Sequence, residues 1–377
     1  GEVLSIAQDK KGFLWFAGRG GVIRYDGFRF HTYKPNPNDP FALGASYLTH
    51  VFEDSFGELW VATYGAGVAR LNRQLDNFYI YKYKNEKMGE INNQRFDQIY
   101  EDEQKNLWIV GTGGVALYDR LNDKFDRYLK DSSVINELFF AMVQLDVNEY
   151  LFLAPSGVYF WNRRTDYVEK IVPDAKNPKA HPFATTRGMI KDKNGNIWLG
   201  HEKGLCKFIP STKTFEIIPL NNKESEVAAV SVLRITEDKS GMLWVATDGN
   251  GLMYFDSITN AFGNYTKSPL PSSLNSPVVR SVFEDKVGDL WVGTFPAALN
   301  HYDRSNSYFS YYSNFMRNKS DVFSNNVWSF SEDERNDLWL GVDKLGLVYF
   351  DRKSNTFAQH YDGFDFSKKG FPHSVLS

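Results

Sequence analysis

The sequence predicts an all-β protein, a β-propeller made of four-stranded antiparallel blades. Three observations lead to this prediction. Aromatic residues make up 16% of the 377 residues, which favours strands over helices. Seven of the nine tryptophans recur at a nearly constant spacing, each six residues after an aspartate. Short segments of alternating apolar and polar residues lie between turns rich in glycine and aspartate, as half-buried strands do.

The repeat is marked by this Asp-to-Trp pair and is present in eight copies. Phe152 takes the place of tryptophan between Trp108 and Trp198, with Asp146 six residues before it, and the copies are then 44 to 48 residues apart. We expect the tryptophans to lie in the core because their neighbours are apolar. We expect each aspartate carboxylate to accept a backbone N–H in a tight turn. The structural turn residues are Asp9, Asp54, Asp102, Asp192, Asp238, Asp285 and Asp333.

The first copy shows the four strands of one blade most clearly. Residues 3–9 alternate apolar and polar side chains, and a turn containing Gly12 follows. Residues 13–17 and 22–25 read as the second and third strands, separated by the turn GRGG, and residues 28–33 read as the fourth. One such unit cannot bury both of its faces. Several units arranged around an axis can, which predicts a propeller.

The sequence leaves the number of blades in the ring open. We assign residues 1–377 to a β-propeller with two alternatives, one ring of eight blades or seven blades plus one from a following propeller. Residues 371–377 resemble the start of a ninth repeat. The eight repeats cover approximately residues 3–33, 46–81, 94–128, 134–170, 183–218, 227–265, 276–312 and 324–361.

Composition excludes several classes of protein. The 43 basic and 46 acidic residues give a net charge of −3, which predicts no nucleic-acid partner. No apolar run approaches the length needed to span a bilayer, so we expect no direct membrane contact. A single cysteine excludes a disulfide framework and a multi-cysteine zinc site. The first ten residues read as a strand and a turn rather than as a signal peptide.

Several copies resemble the two-component regulator propeller repeat. The resemblance is carried by QDKKGFLWFAGRGGVIRYDG in the first copy, FEDSFGELWVATYGAGVARL in the second and FEDKVGDLWVGTFPAALNHYD in the seventh, and by the linker PLPSSLNSPVV. It covers almost the whole chain. The first copy is similar to the first blade of the sensor region of hybrid two-component systems in gut Bacteroidetes, which combine a histidine kinase with a response regulator.

The resemblance implies a location, partners and an output. Sensor regions of this kind lie in the periplasm, respond to oligosaccharides from glycan breakdown and control transcription of polysaccharide-utilisation genes. A second propeller and an immunoglobulin-like domain are expected later in the same parent chain, and the full receptor is expected to be a homodimer. Members of the family commonly contain two seven-bladed propellers in series, which keeps the alternative of seven blades plus one open.

No residue pattern indicates catalysis, a metal site or a cofactor. A G-x-S-x-G segment is absent, and the seven histidines show neither H-x-H nor H-E-x-x-H spacing. Cys206 reads as a small buried apolar residue on a third strand. We therefore predict no catalytic residue, no metal and no cofactor. A propeller enzyme that assembles its site from separate blades remains an alternative, because sequence spacing does not test it.

The residues that differ between copies indicate where a ligand binds. Turns between the second and third strands share one face of a propeller with the starts of the first strands, and binding residues commonly lie on such loops. Aromatic rings there would contact the C–H face of a sugar, and arginines would bind carboxylate or sulfate. Solvated turns or salt bridges between blades are the alternative. The candidates are Arg19, Tyr64, Arg187, His201, Asp248, Arg280, Phe295 and Trp328.

These observations favour one function over two others. The sequence predicts a non-catalytic ligand-sensing propeller in the extracytoplasmic part of a hybrid two-component receptor, responding to glycan-derived oligosaccharides. The first alternative is a propeller polysaccharide lyase or glycosidase. The second is a protein-interaction or spacer propeller whose receptor binds its ligand elsewhere.

Overall fold

The computed structural model divides the chain into two compact units, Gly1–Phe309 and Ser310–Ser377. The described part contains strands and turns and no α-helix. A helix that could span a membrane is therefore not found among the described residues. The structure describes residues 2–36, 38–81, 95–112, 114–129, 134, 137–171, 183, 186–201, 204–219, 231–268, 273–296, 298–304, 327–333, 335, 337–342, 346–351, 354 and 356–359.

The first unit contains seven antiparallel sheets whose strands are paired in chain order. The first three sheets are β1 (Val3–Gln8), β2 (Leu14–Gly18), β3 (Gly21–Tyr25) and β4 (Phe30–Tyr33); β5 (Leu48–Glu53), β6 (Leu59–Thr63), β7 (Val68–Asn72) and β8 (Asn77–Tyr81); and β9 (Phe96–Glu101), β10 (Leu107–Gly111), β11 (Gly114–Asp119) and β12 (Lys124–Tyr128). The next two are β13 (Ala141–Asp146), β14 (Glu149–Ala154), β15 (Gly157–Asn162) and β16 (Tyr167–Ile171); and β17 (Met189–Lys191), β18 (Ile197–His201), β19 (Gly204–Ile209) and β20 (Thr214–Pro219). The last two are β21 (Val232–Glu237), β22 (Met242–Thr247), β23 (Leu252–Asp256) and β24 (Ala261–Tyr265); and β25 (Val278–Glu284), β26 (Leu290–Phe295) and β27 (Ala298–Tyr302).

The seventh sheet has three described strands. The predicted seventh repeat extends to residue 312, and its part from residue 305 onwards lies outside the described residues. The second unit contains one further four-stranded antiparallel sheet, with β28 (Val327–Glu332), β29 (Leu338–Val342), β30 (Gly346–Asp351) and β31 (Thr356–Gln359). The prediction of an all-β protein with four-stranded antiparallel blades is therefore confirmed. The predicted ninth repeat at residues 371–377 lies outside the described residues.

The ring closes with seven blades. The innermost strand of each sheet contacts the innermost strand of the next, from β1 to β25, and β25 in turn contacts β1. Because the first and seventh blades are neighbours, an eighth blade has no place between them. The ring of eight is therefore wrong, and the seven-bladed ring of the second alternative is correct. The eighth sheet belongs to the second unit.

The seventh blade contacts the first through the same lysine hydrogen bonds that join the first blade to the second. In the first blade, Lys10 donates its backbone N–H to Glu53 and its Nζ to a backbone carbonyl of the second blade. Lys286 of the seventh blade bonds the first blade in the same way, through Gln8 Oε1 at 2.7 Å and the Asp9 carbonyl at 2.7 Å. The interface that closes the ring is thus built like the interfaces between consecutive blades.

The hydrophobic core lies between blades rather than within one sheet. Each of the seven interfaces of the ring contains its own cluster of buried side chains. The cluster at the closing interface joins Phe16 of the first blade to Phe283 and Trp291 of the seventh. Because each sheet shares its two faces with two neighbours, no blade buries its apolar surface alone.

An aspartate joins the turn to the tryptophan in every copy of the Asp-to-Trp pair, and it is buried in the six copies of the ring. One carboxylate oxygen accepts the backbone N–H of the residue four positions later, at 2.8 to 3.1 Å. The other accepts the indole N–H of the tryptophan six positions later, at 2.7 to 3.3 Å. We call this arrangement the Asp–Trp box. The seven pairs are Asp9–Trp15, Asp54–Trp60, Asp102–Trp108, Asp192–Trp198, Asp238–Trp244, Asp285–Trp291 and Asp333–Trp339.

Arginines from the following blade bind three of these aspartates. Arg73 lies 2.9 Å from Asp9 Oδ2, Arg120 lies 2.9 Å from Asp54 Oδ2 and Arg304 lies 2.6 Å from Asp238 Oδ2. Arg73 and Arg120 sit at the start of the turn between the third and fourth strands of their blades, and Arg304 lies two residues after the third strand of its blade. The same carboxylate therefore holds one hairpin and fastens the next blade to it.

The fourth blade departs from the repeat, and the prediction that Phe152 replaces tryptophan is wrong by one residue. Trp108 lies three residues before Gly111, which pairs with Gly114. The corresponding pair in the fourth blade is Ala154 with Gly157, so Leu151 occupies the tryptophan position. Successive residues of a strand face opposite sides of the sheet, and Phe152 accordingly packs in the cluster that contains Trp108. Asp146 pairs with Glu149 across a two-residue turn and forms no box.

The box predicts a large effect of removing one carboxylate. Asp54→Ala leaves the indole N–H of Trp60 and the guanidinium of Arg120 without their acceptor, and we expect a loss of about 3 kcal/mol in the free energy of unfolding. Chemical denaturation measures it. Asp119→Ala is the control, because within the described structure the Asp119 carboxylate accepts hydrogen bonds from its own turn alone. A loss for Asp54→Ala no greater than that for the control would contradict this role.

The box also predicts acid sensitivity. Burial raises the pKa of Asp238, but hydrogen bonds from Ser240, Trp244 and Arg304 outweigh burial and lower that pKa to about 2. A carboxylate whose pKa is depressed by folding stabilises the protein above its unfolded pKa of about 3.9, and this stabilisation is lost as the pH falls towards 2. We expect Asp238→Asn to flatten the decline in stability between about pH 4 and pH 2. Urea unfolding across that range measures the slope, and an unchanged slope would count against the assignment.

Candidate functional site

Turns between second and third strands meet the starts of first strands at one end of the central channel. Isolated bridges pair Arg19 with Tyr47, Tyr64 with Arg95 and Asp248 with Val278, in each case joining such a turn to the next blade. The Asp–Trp boxes lie at the other ends of the same strands. The two kinds of predicted residue, repeated and variable, therefore occupy opposite faces of the ring.

A cavity of about 320 Å³ occupies the channel at the variable face, and we call it the mouth cavity. Five of the eight predicted ligand residues line it, Arg19, Arg187, Asp248, Arg280 and Phe295. Its volume is at the lower end of the range of about 300–1,000 Å³ that is typical of small-molecule sites. The remaining lining residues are Glu2, Leu4, Tyr47, Thr49, Arg95, Asp97, Leu233 and Arg234.

The other three predicted residues lie outside this lining. Tyr64 is 45% exposed and packs edge-to-face on Tyr47, so it stands at the rim. His201 is 4% exposed and packs against Phe183 in the interior. Trp328 belongs to β28 of the second unit, and its side chain lies outside the described residues.

One wall of the mouth cavity is an ion-pair network around Glu2. The Glu2 carboxylate is buried and lies 2.9 Å from Arg280 Nε and 3.4 Å from Arg19 Nε. The short contact to Arg280 is an ion pair without a hydrogen bond, because the Nε–H does not point at the oxygen. Arg280 also approaches Asp248 at 3.5 Å and stacks over the ring of Phe295. Arg280 thus joins the seventh blade to the first at the closing interface.

The opposite wall contains a second pair with an incomplete hydrogen-bond set. Arg95 binds Asp97 Oδ1 through both Nε and Nη2, at 2.9 and 2.5 Å. Asp97 Oδ2 is buried and has no hydrogen-bond partner among the described residues. Burial raises the pKa of Asp97, and the adjacent Arg95 counteracts this. The side chain therefore presents one unused acceptor in the lining of the cavity.

Arg187 and Arg234 form the floor, where the mouth cavity meets a deeper channel cavity of about 210 Å³. Arg187 stacks over Phe140 with its guanidinium carbon 5.1 Å from the ring centre. Arg234 reaches across the channel from the sixth blade to the third, where Nη2 lies 3.4 Å from the Asp97 carbonyl oxygen. Neither guanidinium is paired with a carboxylate within 4 Å among the described residues.

Burial lowers the pKa of both arginines on the floor. For Arg187, the nearby positive charge of Arg95 adds to the effect of burial. For Arg234, burial is opposed by Asp97 and reinforced by Arg187 and Arg95. The cause in each case is a positive charge held away from water beside other positive charges.

Among the residues that line the deeper channel, one from an equivalent position in each of the seven blades forms a ring. Where a blade has a box, this residue lies four positions before the box aspartate. Ser5, His50, Gln98 and Ser281 hydrogen-bond the backbone of the adjacent blade, and burial lowers the pKa of His50 to about 3, so its ring is neutral. Arg234 is the charged member of the set. The ring consists of Ser5, His50, Gln98, Ala141, Gly188, Arg234 and Ser281.

Sequence reasoning missed Arg234 and Asp97 as site residues. The signal for Arg234 was present, because residues four positions before the box aspartate vary between copies while the residue after each of them stays apolar. The position of Asp97 carries no such signal. Its role depends on Arg95 and on Arg234, which comes from a blade far away in the sequence. Within the described residues, no cluster of three or more potential metal ligands is found.

The chain shows sequence similarity to known regulators. The family description "Two component regulator propeller" matches residues 273–295. Histidine kinase P4 of Formosa agariphila is 35% identical over 86 residues, which is 22% of this chain and 6% of that protein.

Two solved structures are similar over almost the whole chain. The extracellular domain of the hybrid two-component system BT3049 from B. thetaiotaomicron has 26% identity and a TM-score of 0.68, covering 96% of this chain and 47% of that one. The extracellular domain of BT4673 from the same organism has 17% identity and a TM-score of 0.63, covering 97% and 46%, which shows the fold alone. The chain therefore spans about half the length of these domains and a small part of the curated relative.

The ion-pair network predicts different effects for two neighbouring arginines. Arg280→Ala removes the closest counter-ion of buried Glu2, and we expect a loss of about 2 kcal/mol in the free energy of unfolding. Arg19→Ala is the matched control, because the Arg19 side chain is 68% exposed and its removal leaves the pair between Glu2 and Arg280 intact. Chemical denaturation of both variants compares them. Equal losses would show that Arg280 has no special role in closing the ring.

Proposed function

We propose that this chain, which is similar to the two-component regulator propeller family over residues 273–295, is a ligand-sensing propeller in the periplasmic part of a hybrid two-component receptor. The similarity to the extracellular domain of BT3049 over 96% of the chain supports the sensing role. We further propose that the ligand is an oligosaccharide released from a glycan and that the output is transcription of polysaccharide-utilisation genes. The chain itself acts without catalysis.

The mouth cavity is the observation that carries this proposal. Five variable residues from four blades line it together, and all of them lie on the face without Asp–Trp boxes. Phe295 is 39% exposed there and offers a ring for the C–H face of a sugar. Asp248 and the surrounding arginines supply fixed polar groups for hydroxyls. A rigid ring with variable loops is suited to recognition.

Signalling then requires that the ligand bind one receptor state more tightly than another. A ligand shifts an equilibrium only by its difference in affinity for the two states. The partners that we propose are a second propeller and an immunoglobulin-like domain of the same parent chain, and a second receptor copy. The eighth sheet, which belongs to the second unit, supports the presence of a further propeller.

A screen of oligosaccharides separates the three candidate functions. Thermal unfolding of the chain is measured with a panel of neutral and acidic oligosaccharides, and each compound that raises the melting temperature is then incubated with the chain and analysed for products. We expect binding without turnover. Product formation would establish the lyase or glycosidase alternative, and no binding across the panel would favour the spacer alternative.

A variant in the full receptor tests the location of the site. We expect Phe295→Ala to abolish or strongly reduce the transcriptional response to the oligosaccharide, because a stacking ring is lost from the mouth cavity. Phe28→Ala is the control, since Phe28 is 83% exposed in a turn on the opposite face. Reporter expression and receptor level are measured together. A normal response of Phe295→Ala at a normal receptor level would move the sensing site away from this cavity.

A further inference from the structure

The mouth cavity carries an excess of positive charge. Five guanidinium groups and three carboxylates line it, which leaves two positive charges uncompensated within the lining. The guanidinium groups belong to Arg19, Arg95, Arg187, Arg234 and Arg280, and the carboxylates to Glu2, Asp97 and Asp248. The chain as a whole has a net charge of −3, so this excess is local and opposite in sign to the protein.

The pairing within the cavity assigns the excess to its floor. Arg19 and Arg280 share Glu2, and Arg95 is bound to Asp97. Arg187 and Arg234 have no carboxylate within ion-pair distance among the described residues, and both are half-buried. The positive charges of two guanidinium groups on one channel floor repel, and an anion placed between them would relieve that repulsion.

A purely structural role does not account for these two arginines. Elsewhere in the ring, half-buried arginines such as Arg73 and Arg120 bind box aspartates at 2.9 Å and hold blades together. Arg234 makes one long contact, 3.4 Å to a backbone carbonyl, and Arg187 stacks on Phe140. Uncompensated charge of this kind costs stability, which is typical of residues retained for binding.

The groups around the floor restrict which anion fits. Asp97 Oδ2 is a buried acceptor with no partner in the described structure, so it would accept a hydrogen bond from a hydroxyl. Glu2 and Asp248 place negative charge closer to the rim, which disfavours a ligand that is anionic along its whole length. An acidic sugar combines one anionic group with several hydroxyls, and Arg guanidinium groups bind carboxylate and sulfate in a bidentate geometry.

We propose that the mouth cavity binds an acidic oligosaccharide, with Arg187 and Arg234 holding its carboxylate or sulfate and Asp97 accepting from a neighbouring hydroxyl. This inference rests on the proposed sensing function and adds the chemical class of the ligand. Uronic acids and sulfated sugars present the same anionic chemistry, and the experiment distinguishes between them.

The first experiment uses the anionic groups alone. Melting temperatures of the 377-residue chain are measured in sodium glucuronate, in sodium sulfate and in sodium chloride at equal ionic strength, with glucose as the neutral counterpart of glucuronate. We expect glucuronate or sulfate to raise the melting temperature above the chloride value, and glucose to have no effect. A shift with glucuronate identifies a uronic acid as the source, and a shift with sulfate alone identifies a sulfated sugar.

Variants then separate specific binding from the general stabilising effect of sulfate. In the double variant Arg187→Gln/Arg234→Gln, glucuronate or sulfate should no longer raise the melting temperature above the chloride value; we call this rise the excess shift. Calorimetry should show that acidic oligosaccharides bind at least about tenfold more weakly, as expected for lost charge-assisted hydrogen bonds. The melting temperature of the double variant without ligand should be unchanged or higher, whereas a structural role would lower it. Arg29→Gln/Arg164→Gln is the control, because it changes the net charge equally at exposed turns between third and fourth strands.

If the double variant does not fold, Arg187→Lys provides the test. Lysine keeps the charge and loses the bidentate geometry, so we expect weaker but measurable binding. The proposal is overturned if glucuronate and sulfate give no excess shift, or if the Gln variant retains it. A receptor that responds only to neutral oligosaccharides also overturns it and leaves the sensing function intact. Acidic oligosaccharides that bind this cavity without any receptor response would overturn the sensing function instead.

Discussion

A buried aspartate at the turn between the first two strands of a blade is the interaction on which the ring depends. Its two oxygens bind the turn backbone and the tryptophan indole, and in three blades an arginine of the next blade as well. A carboxylate removed from water is costly unless its acceptor sites are filled. Here they are filled by groups from the hairpin, the core and the neighbouring blade, so local turn formation and assembly of the ring stabilise each other.

This arrangement divides the molecule into a face that builds the fold and a face that is free to vary. The boxes and the lysine contacts between blades lie at one face, and the same contacts recur where Lys286 closes the ring onto the first blade. Among the described residues, the turns at the other face contain no Asp–Trp box, and a threonine hydrogen bond within the turn is found in the second and sixth blades. Their side chains therefore differ from blade to blade and meet at the mouth of the channel, where a ligand can contact several blades at once.

The two faces also differ in how their arginines are paired with carboxylates. At the boxes, each arginine that is drawn inward meets a carboxylate. At the channel mouth, Arg187 and Arg234 are drawn inward without one, and burial lowers the pKa of both. Compensated charge fastens blades together, whereas uncompensated charge in a cavity is available to a ligand. The distinction depends on which groups surround each arginine rather than on the residue type.

The sequence by itself determined the fold class, the repeat and the two faces, because a strand period of two and a fixed Asp-to-Trp distance are local properties that survive in a linear pattern. Tertiary structure decided the number of blades in the ring, since closure depends on contacts between Ser281 or Lys286 and the first blade. It also corrected Phe152, whose face is set by strand register rather than by distance along the chain. The floor of the mouth cavity was decided in the same way, because Asp97 and Arg234 lie 137 residues apart and meet only across the closed channel.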